Sequence, residues 1–168
     1  MTINLWQTVL LFQAGWLVLV SCHDSLLYLV SIALILLYLL LDLYKTKQKD
    51  YLSYALPKLL MFISGCLADW SLAKLEFIQF AADGPTLPFW LVLLWLLFSI
   101  TFEQCYRWLS GKLKVAALLG GLFGPASYWA ASKLSAVSIQ MPVEFTLLSA
   151  VFWAVLFVAF IKKRPLAT

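Results

Sequence analysis

The chain has 168 residues, of which 64% are hydrophobic and only 12% charged, with a mean hydropathy of +0.93 and a formal net charge of +4. A water-soluble domain of this length needs far more polar surface, so composition argues against a soluble globular fold and makes a lipid bilayer the implied solvent. The basic residues sit in short stretches that flank apolar runs, which reads as membrane orientation and argues against a nucleic-acid surface.

Apolar runs of about twenty residues cross hydrocarbon as helices. Six such runs follow one another: Leu5 to Ser21, Ser25 to Leu43, Leu56 to Gln79, Phe89 to Leu109, Val115 to Leu134 and Val143 to Ile161. The expectation is an all-α polytopic membrane helix bundle forming a single integral-membrane domain over residues 1–168. The first run has no Lys or Arg before it and no small-x-small cleavage site after it, so it is read as a mature helix and not as a secretory signal. Pro57, Pro88 and Pro142 fall where spans are expected to begin, positions at which a missing N–H is harmless. Trp6, Trp90 and Trp108 fall near span ends, as interfacial aromatics do.

Ten basic residues, Lys45, Lys47, Lys49, Lys58, Arg107, Lys112, Lys114, Lys162, Lys163 and Arg164, belong to one side if six helices cross, against Lys74 and Lys133 on the other. That bias predicts both termini in the cytoplasm.

The first span carries Gln7 and Gln13, and Gln13 is deep enough to require a hydrogen-bond partner within the protein. Just beyond it, Cys22 and His23 lie in the sequence Cys-His-Asp-Ser. The three cysteines Cys22, Cys66 and Cys105 form no CxxC pair, and His23 is the sole histidine. No metal-ligand spacing results, so neither a metal nor a cofactor is expected.

The third span places Lys58, Gly65, Asp69 and Glu76 at separations that return to one helix face. Lys58 and Glu76 can extend to the two interfaces. Asp69 cannot: about two turns inside the boundary, an ionised carboxylate costs about 2.5–3.5 kcal/mol on insertion scales. It must be paired, protonated or turned to water, which makes it the leading functional candidate. In the fourth span Ser99, Glu103 and Arg107 recur every four residues, a spacing at which Glu103 can pair with Arg107. The pair would lock the bundle end, bind a head group or relay protons.

The fifth span concentrates Gly120, Gly121, Gly124 and Pro125, followed by Ser127, Tyr128, Ala131 and Ser135. Helices in lipid gain little from hydrophobicity and associate through close contact of small residues. A smooth packing face, bent at Pro125 and central in the bundle, is expected, with Tyr128 a further candidate for the polar seam.

Known membrane-enzyme patterns are missing. There is no GxSG with a base on another helix, no second deep Asp to pair with Asp69, and no lysine in GGLFGPAS to make it a phosphate loop. Together, GGLFGPASYWAASKLSAV, TFEQCYRWL, GCLADWSL and LLFQAGWL resemble small proteobacterial inner-membrane proteins grouped as domain of unknown function 2878. The resemblance covers nearly the whole chain, and its most specific part runs from Gly121 to Leu134. The family's fourth span often carries an Asn-His pair where this chain has Glu103 and Gln104, a departure that weakens transfer of any site there. The resemblance implies a multi-pass protein of the bacterial inner membrane, encoded near lipid-modifying enzymes of the cyclopropane-fatty-acid type. Membrane lipids and a lipid-modifying enzyme or other membrane protein are the implied partners.

Three functions fit these residues. One is a non-enzymatic accessory or binding protein for a lipid, a hydrophobic small molecule or a partner helix. The second is a small transporter or substrate-capture subunit using Asp69 and Glu103. The third is a lipid-modifying enzyme with Asp69, Glu103 or His23 as acid or base.

Overall fold

A bilayer offers no hydrogen-bond partners to a backbone, so long runs of Leu, Phe, Trp and Ala must bond internally, as helices do. The computed structural model describes residues 5–22, 29–33, 35, 36, 38, 51–81 and 87–162, and they are predominantly helical. Helix α1 is Leu5–Ser21, and α2 is described at 29–33, 35, 36 and 38. The others are α3 (Tyr51–Lys74), α4 (Phe89–Tyr106), α5 (Leu113–Lys133) and α6 (Pro142–Lys162). Leu52–Lys74, Phe89–Leu109 and Pro142–Ile161 are long and apolar enough to cross a membrane.

Several boundaries differ from expectation. α3 begins at Tyr51, so Pro57 lies inside the helix instead of opening it. As the seventh residue it lies beyond the first turn, where a proline forgoes a helical i to i−4 hydrogen bond. At the other end the helix stops at Lys74, and residues 78–80 form a strand, β1, that pairs antiparallel with β2 (Val137–Ile139). Glu76 is therefore off the helix, in a left-handed conformation with φ 59°, and does not extend the polar face through Asp69. Ser135 leaves α5 in the same conformation, also at φ 59°. α4 ends at Tyr106 and gives way to a 3-10 turn, Arg107–Leu109, so the regular four-residue spacing assumed for Glu103 and Arg107 ends there. Gly111, at φ 77°, supplies the reversal between that turn and α5. Most of the second span, His23, and the basic residues Lys45, Lys47, Lys49, Lys163 and Arg164 lie outside the described residues.

The chain divides into two compact units. The first is Met1–Leu67 with Leu87–Cys105, and the second is Ala68–Thr86 with Tyr106–Thr168. In the first unit, α4 is enclosed by its neighbours, with eleven of its eighteen residues buried, whereas α5 buries six of twenty-one. The fourth helix, not the fifth, has the more enclosed surface. Trp90, expected at the interface, is accordingly buried, while Trp6 and Trp108 are exposed. Phe98 links Phe12, Trp95 and Phe102 through tilted and edge-to-face ring contacts with centroids 5.4–5.7 Å apart, the geometry aromatic quadrupoles favour. Gly15 and Gly65 admit Leu97 and the Trp95 ring where a Cβ would stand.

In the second unit, α5 runs as a continuous helix through Pro125 and packs its glycine face on α6. The main-chain oxygen of Trp153 would lie 2.5 Å from a Cβ at Gly120, and the Trp153 ring occupies the corresponding place at Gly124. Gly121 faces Ala150 and Ala154. The small residues therefore serve contact between two helices of one chain, as packing in lipid requires.

Candidate functional site

Asp69 sits in the last turns of α3 and is fully buried, at 0% exposure. Ala68–Thr86 and the whole of α5 belong to the same compact unit, and α5 delivers Tyr128 to it: the phenol O–H donates to Asp69 Oδ1 at 2.5 Å. Tyr128 is itself buried at 8% exposure. Its ring is held edge-to-face by Phe145 of α6, with centroids 5.3 Å apart and planes at 72°. α3 and α5 thus meet at one carboxyl group, and α6 abuts the phenol that caps it. A hydrogen bond from a phenol gives a buried carboxyl oxygen a partner where water cannot reach, and leaving such a group unsatisfied costs about 1–3 kcal/mol.

Of the other candidates, Glu103 is half-buried and belongs to the first unit, and Arg107 is exposed and belongs to the second. Gln13, expected to be buried, lies on an exposed face of α1. Depth along a helix does not decide burial; direction around the axis does. The buried polar residue of α1 is instead Thr8, whose hydroxyl donates to Gln104 Oε1 of α4 at 2.8 Å. Thr8 and Gln104 lie 96 positions apart, and nothing in the local sequence pairs them. Cys105 is buried and Cys66 half-buried, as small apolar residues of a bundle are, and Cys22 is half-buried at the end of α1.

Where α5 and α6 meet the sheet, Trp129 Nε1–H donates to Thr146 Oγ1 at 3.2 Å, and Thr146 in turn donates to the Pro142 carbonyl at 2.6 Å. Lys74 and Lys112 lie over Trp70 and Trp108 at 5.9 and 5.7 Å from the ring centroids. Amphipathic pairs of this kind suit the boundary between hydrocarbon and water.

Chemically, the Asp69–Tyr128 pair is a closed contact between an acceptor and a donor. It ties α3 to α5.

Fold and site together define a predominantly helical protein with three helices long and apolar enough to cross a membrane and a buried polar tie between α3 and α5. The family model described as "Protein of unknown function (DUF2878)" matches residues 5–159, and the chain belongs to that family. No curated protein and no solved structure matches it.

Proposed function

We propose that the chain is a six-span protein of the bacterial inner membrane, with both termini in the cytoplasm. It acts there as a non-enzymatic accessory or binding protein for a lipid, a hydrophobic small molecule or a partner membrane protein. The observation that carries this reading is the enclosure of Asp69, wholly buried and capped by the Tyr128 hydroxyl. A general acid or base must reach its substrate, and a transport carboxylate must meet water or its ion. Asp69 accepts a hydrogen bond from a buried phenol instead. The broad apolar faces of α5 and α6, with Leu122, Phe123, Leu147 and Val151 all more than half exposed, suit acyl chains or a partner helix.

The functional test is the lipid inventory of a deletion strain, the complemented strain and a strain carrying Asp69→Asn. All three are expected to contain the same lipid species by mass spectrometry. A species lost on deletion and not regained with Asp69→Asn identifies an enzyme and removes the proposal. A proton or solute flux in proteoliposomes that Asp69→Asn abolishes identifies a transporter, with the same consequence.

The topology is tested with single cysteines in a background lacking Cys22, Cys66 and Cys105. A cysteine at Ser138 is expected to react with an impermeant maleimide in intact spheroplasts, and one at Lys112 only after permeabilisation. Both positions are exposed. Labelling of position 112 in sealed spheroplasts would reverse the proposed orientation.

A further inference from the structure

Helices α3 and α5 end alike. In α3, Glu76 N–H bonds to the Ala73 carbonyl and Phe77 N–H to the Leu72 carbonyl; in α5, Ser135 N–H bonds to Ser132 and Ala136 N–H to Ala131. Both are Schellman closures, and each has its left-handed residue at φ 59°. Helices commonly close in this way, though usually on glycine, so one such ending is unremarkable. Capping does not account for the strands beyond. Each ending runs directly into a three-residue strand, and the strands pair with Gln79 opposite Ser138, Ile78 opposite Ile139 and Phe80 opposite Val137. Two further bonds flank the pair, Ala81 N–H to the Ala136 carbonyl and Gln140 N–H to the Phe77 carbonyl.

Asp69 and Tyr128 are 59 residues apart, and that one shift relates all of these features. It carries Glu76 onto Ser135, the Phe77 bond onto the Ala136 bond, Gln79 onto Ser138, and the Ala81 bond onto the Gln140 bond. Exchanging the two stretches returns the sheet to itself, which is the property of a local two-fold axis through the Gln79–Ser138 pair. The same shift carries Asp69 onto Tyr128, so the buried hydrogen bond joins equivalent positions across that axis. The sequences DWSLAKLEFIQF and YWAASKLSAVSI share only Trp70 with Trp129, Lys74 with Lys133 and Leu75 with Leu134, and all six side chains are exposed.

We infer that residues 69–80 and 128–139 are two copies of one helix-end and strand module, and that Asp69 and Tyr128 form its on-axis latch. Contact at a two-fold axis brings like residues together, and two carboxylates there would repel each other while two phenols would crowd. Replacing one partner of each kind turns an on-axis conflict into a donor and an acceptor. The latch fixes the approach of α3 to α5 beneath the sheet and couples the two copies, because loosening it frees both helix ends equally. The connections to the next helix, 81–88 after the first copy and 140–141 after the second, lie outside the duplicated part.

Exchange of the partners tests this. In the full-length protein in detergent, Asp69→Tyr and Tyr128→Asp are each expected to lower the thermal midpoint by about 4–10 °C. The double exchange Asp69→Tyr/Tyr128→Asp is expected to recover at least half of either loss. A double variant as unstable as the two single effects combined overturns the inference. Should the exchanged protein not fold, Tyr128→Phe provides a second readout. Amide exchange at Ala81 and at Gln140 is expected to quicken by factors within about threefold of each other. Quickening confined to one of the two overturns the inference.

Discussion

Gly124→Leu prevents folded protein from accumulating in the membrane, and Gly120→Ala lowers the thermal midpoint of the solubilised protein by about 5–10 °C. The two positions fail for different reasons. At Gly124 any side chain enters the space held by the Trp153 ring, which is flanked by Phe152 and Phe157 at centroid distances of 6.1 Å. The indole cannot rotate away without displacing them. At Gly120 a single methyl meets the Trp153 carbonyl oxygen at 2.5 Å and the Phe157 ring at 3.0 Å. A main-chain oxygen moves only if α6 moves, so even alanine forces the helices apart, at a cost of about 1–3 kcal/mol. In lipid the separated faces regain little by contact with acyl chains that they did not already have. Gly121→Ala provides the internal control. Its methyl would lie 3.3 Å from the Ala150 carbonyl oxygen and 3.7 Å from the Ala154 methyl, tight but relieved by a shift of a few tenths of an ångström. Its midpoint is expected to remain within about 3 °C of the parent. Fluorescence-detected size-exclusion after a heating series reads all three, and a parental midpoint for Gly120→Ala would mean that α5 and α6 do not approach as closely as described.

Helices were legible where composition alone decided them. α1 starts at Leu5 and ends at Ser21 as the apolar run does, and Pro142 opens α6 as an N-terminal proline should. The sequence failed at the end of the third span because Leu75-Glu76-Phe77-Ile78-Gln79-Phe80 suits a helix or a strand equally. A glycine would have marked the break, but the left-handed positions hold Glu76 and Ser135. The strand forms because its partner, Val137–Ile139, arrives from far along the chain, a tertiary choice that overrides local preference. Asp69 could be singled out because a carboxyl group within a span needs a partner. That the partner is Tyr128 was hidden, since the repeat connecting them survives in three shared residues. Gln13 is exposed and Thr8, which nothing in the sequence singled out, is the buried polar residue, because depth along α1 says nothing about which residue faces α4.

Tyr128→Phe is expected to destabilise the protein by about 1–3 kcal/mol, a fall of several degrees in the thermal midpoint, while leaving its helix content unchanged. The substitution keeps the ring that Phe145 abuts and deletes only the hydroxyl that donates to Asp69. Buried volume hardly changes, so the effect isolates the hydrogen bond from packing. Water cannot replace the lost donor readily at a carboxyl group with no exposed surface, and a buried polar group that loses a partner bears its desolvation cost. Asp69→Asn should be milder, about 1 kcal/mol, because an amide oxygen still accepts from the phenol. Asp69→Leu removes the acceptor and strands the Tyr128 hydroxyl instead, so it should fall near Tyr128→Phe. In the double variant Asp69→Leu/Tyr128→Phe neither polar group remains to be satisfied. That protein is expected to be more stable than the two single losses added together, since replacing both partners of a buried bond by apolar groups approaches neutrality. Strict additivity would show that Asp69 and Tyr128 do not act as a pair, and that the carboxyl group is held chiefly by other contacts of α3.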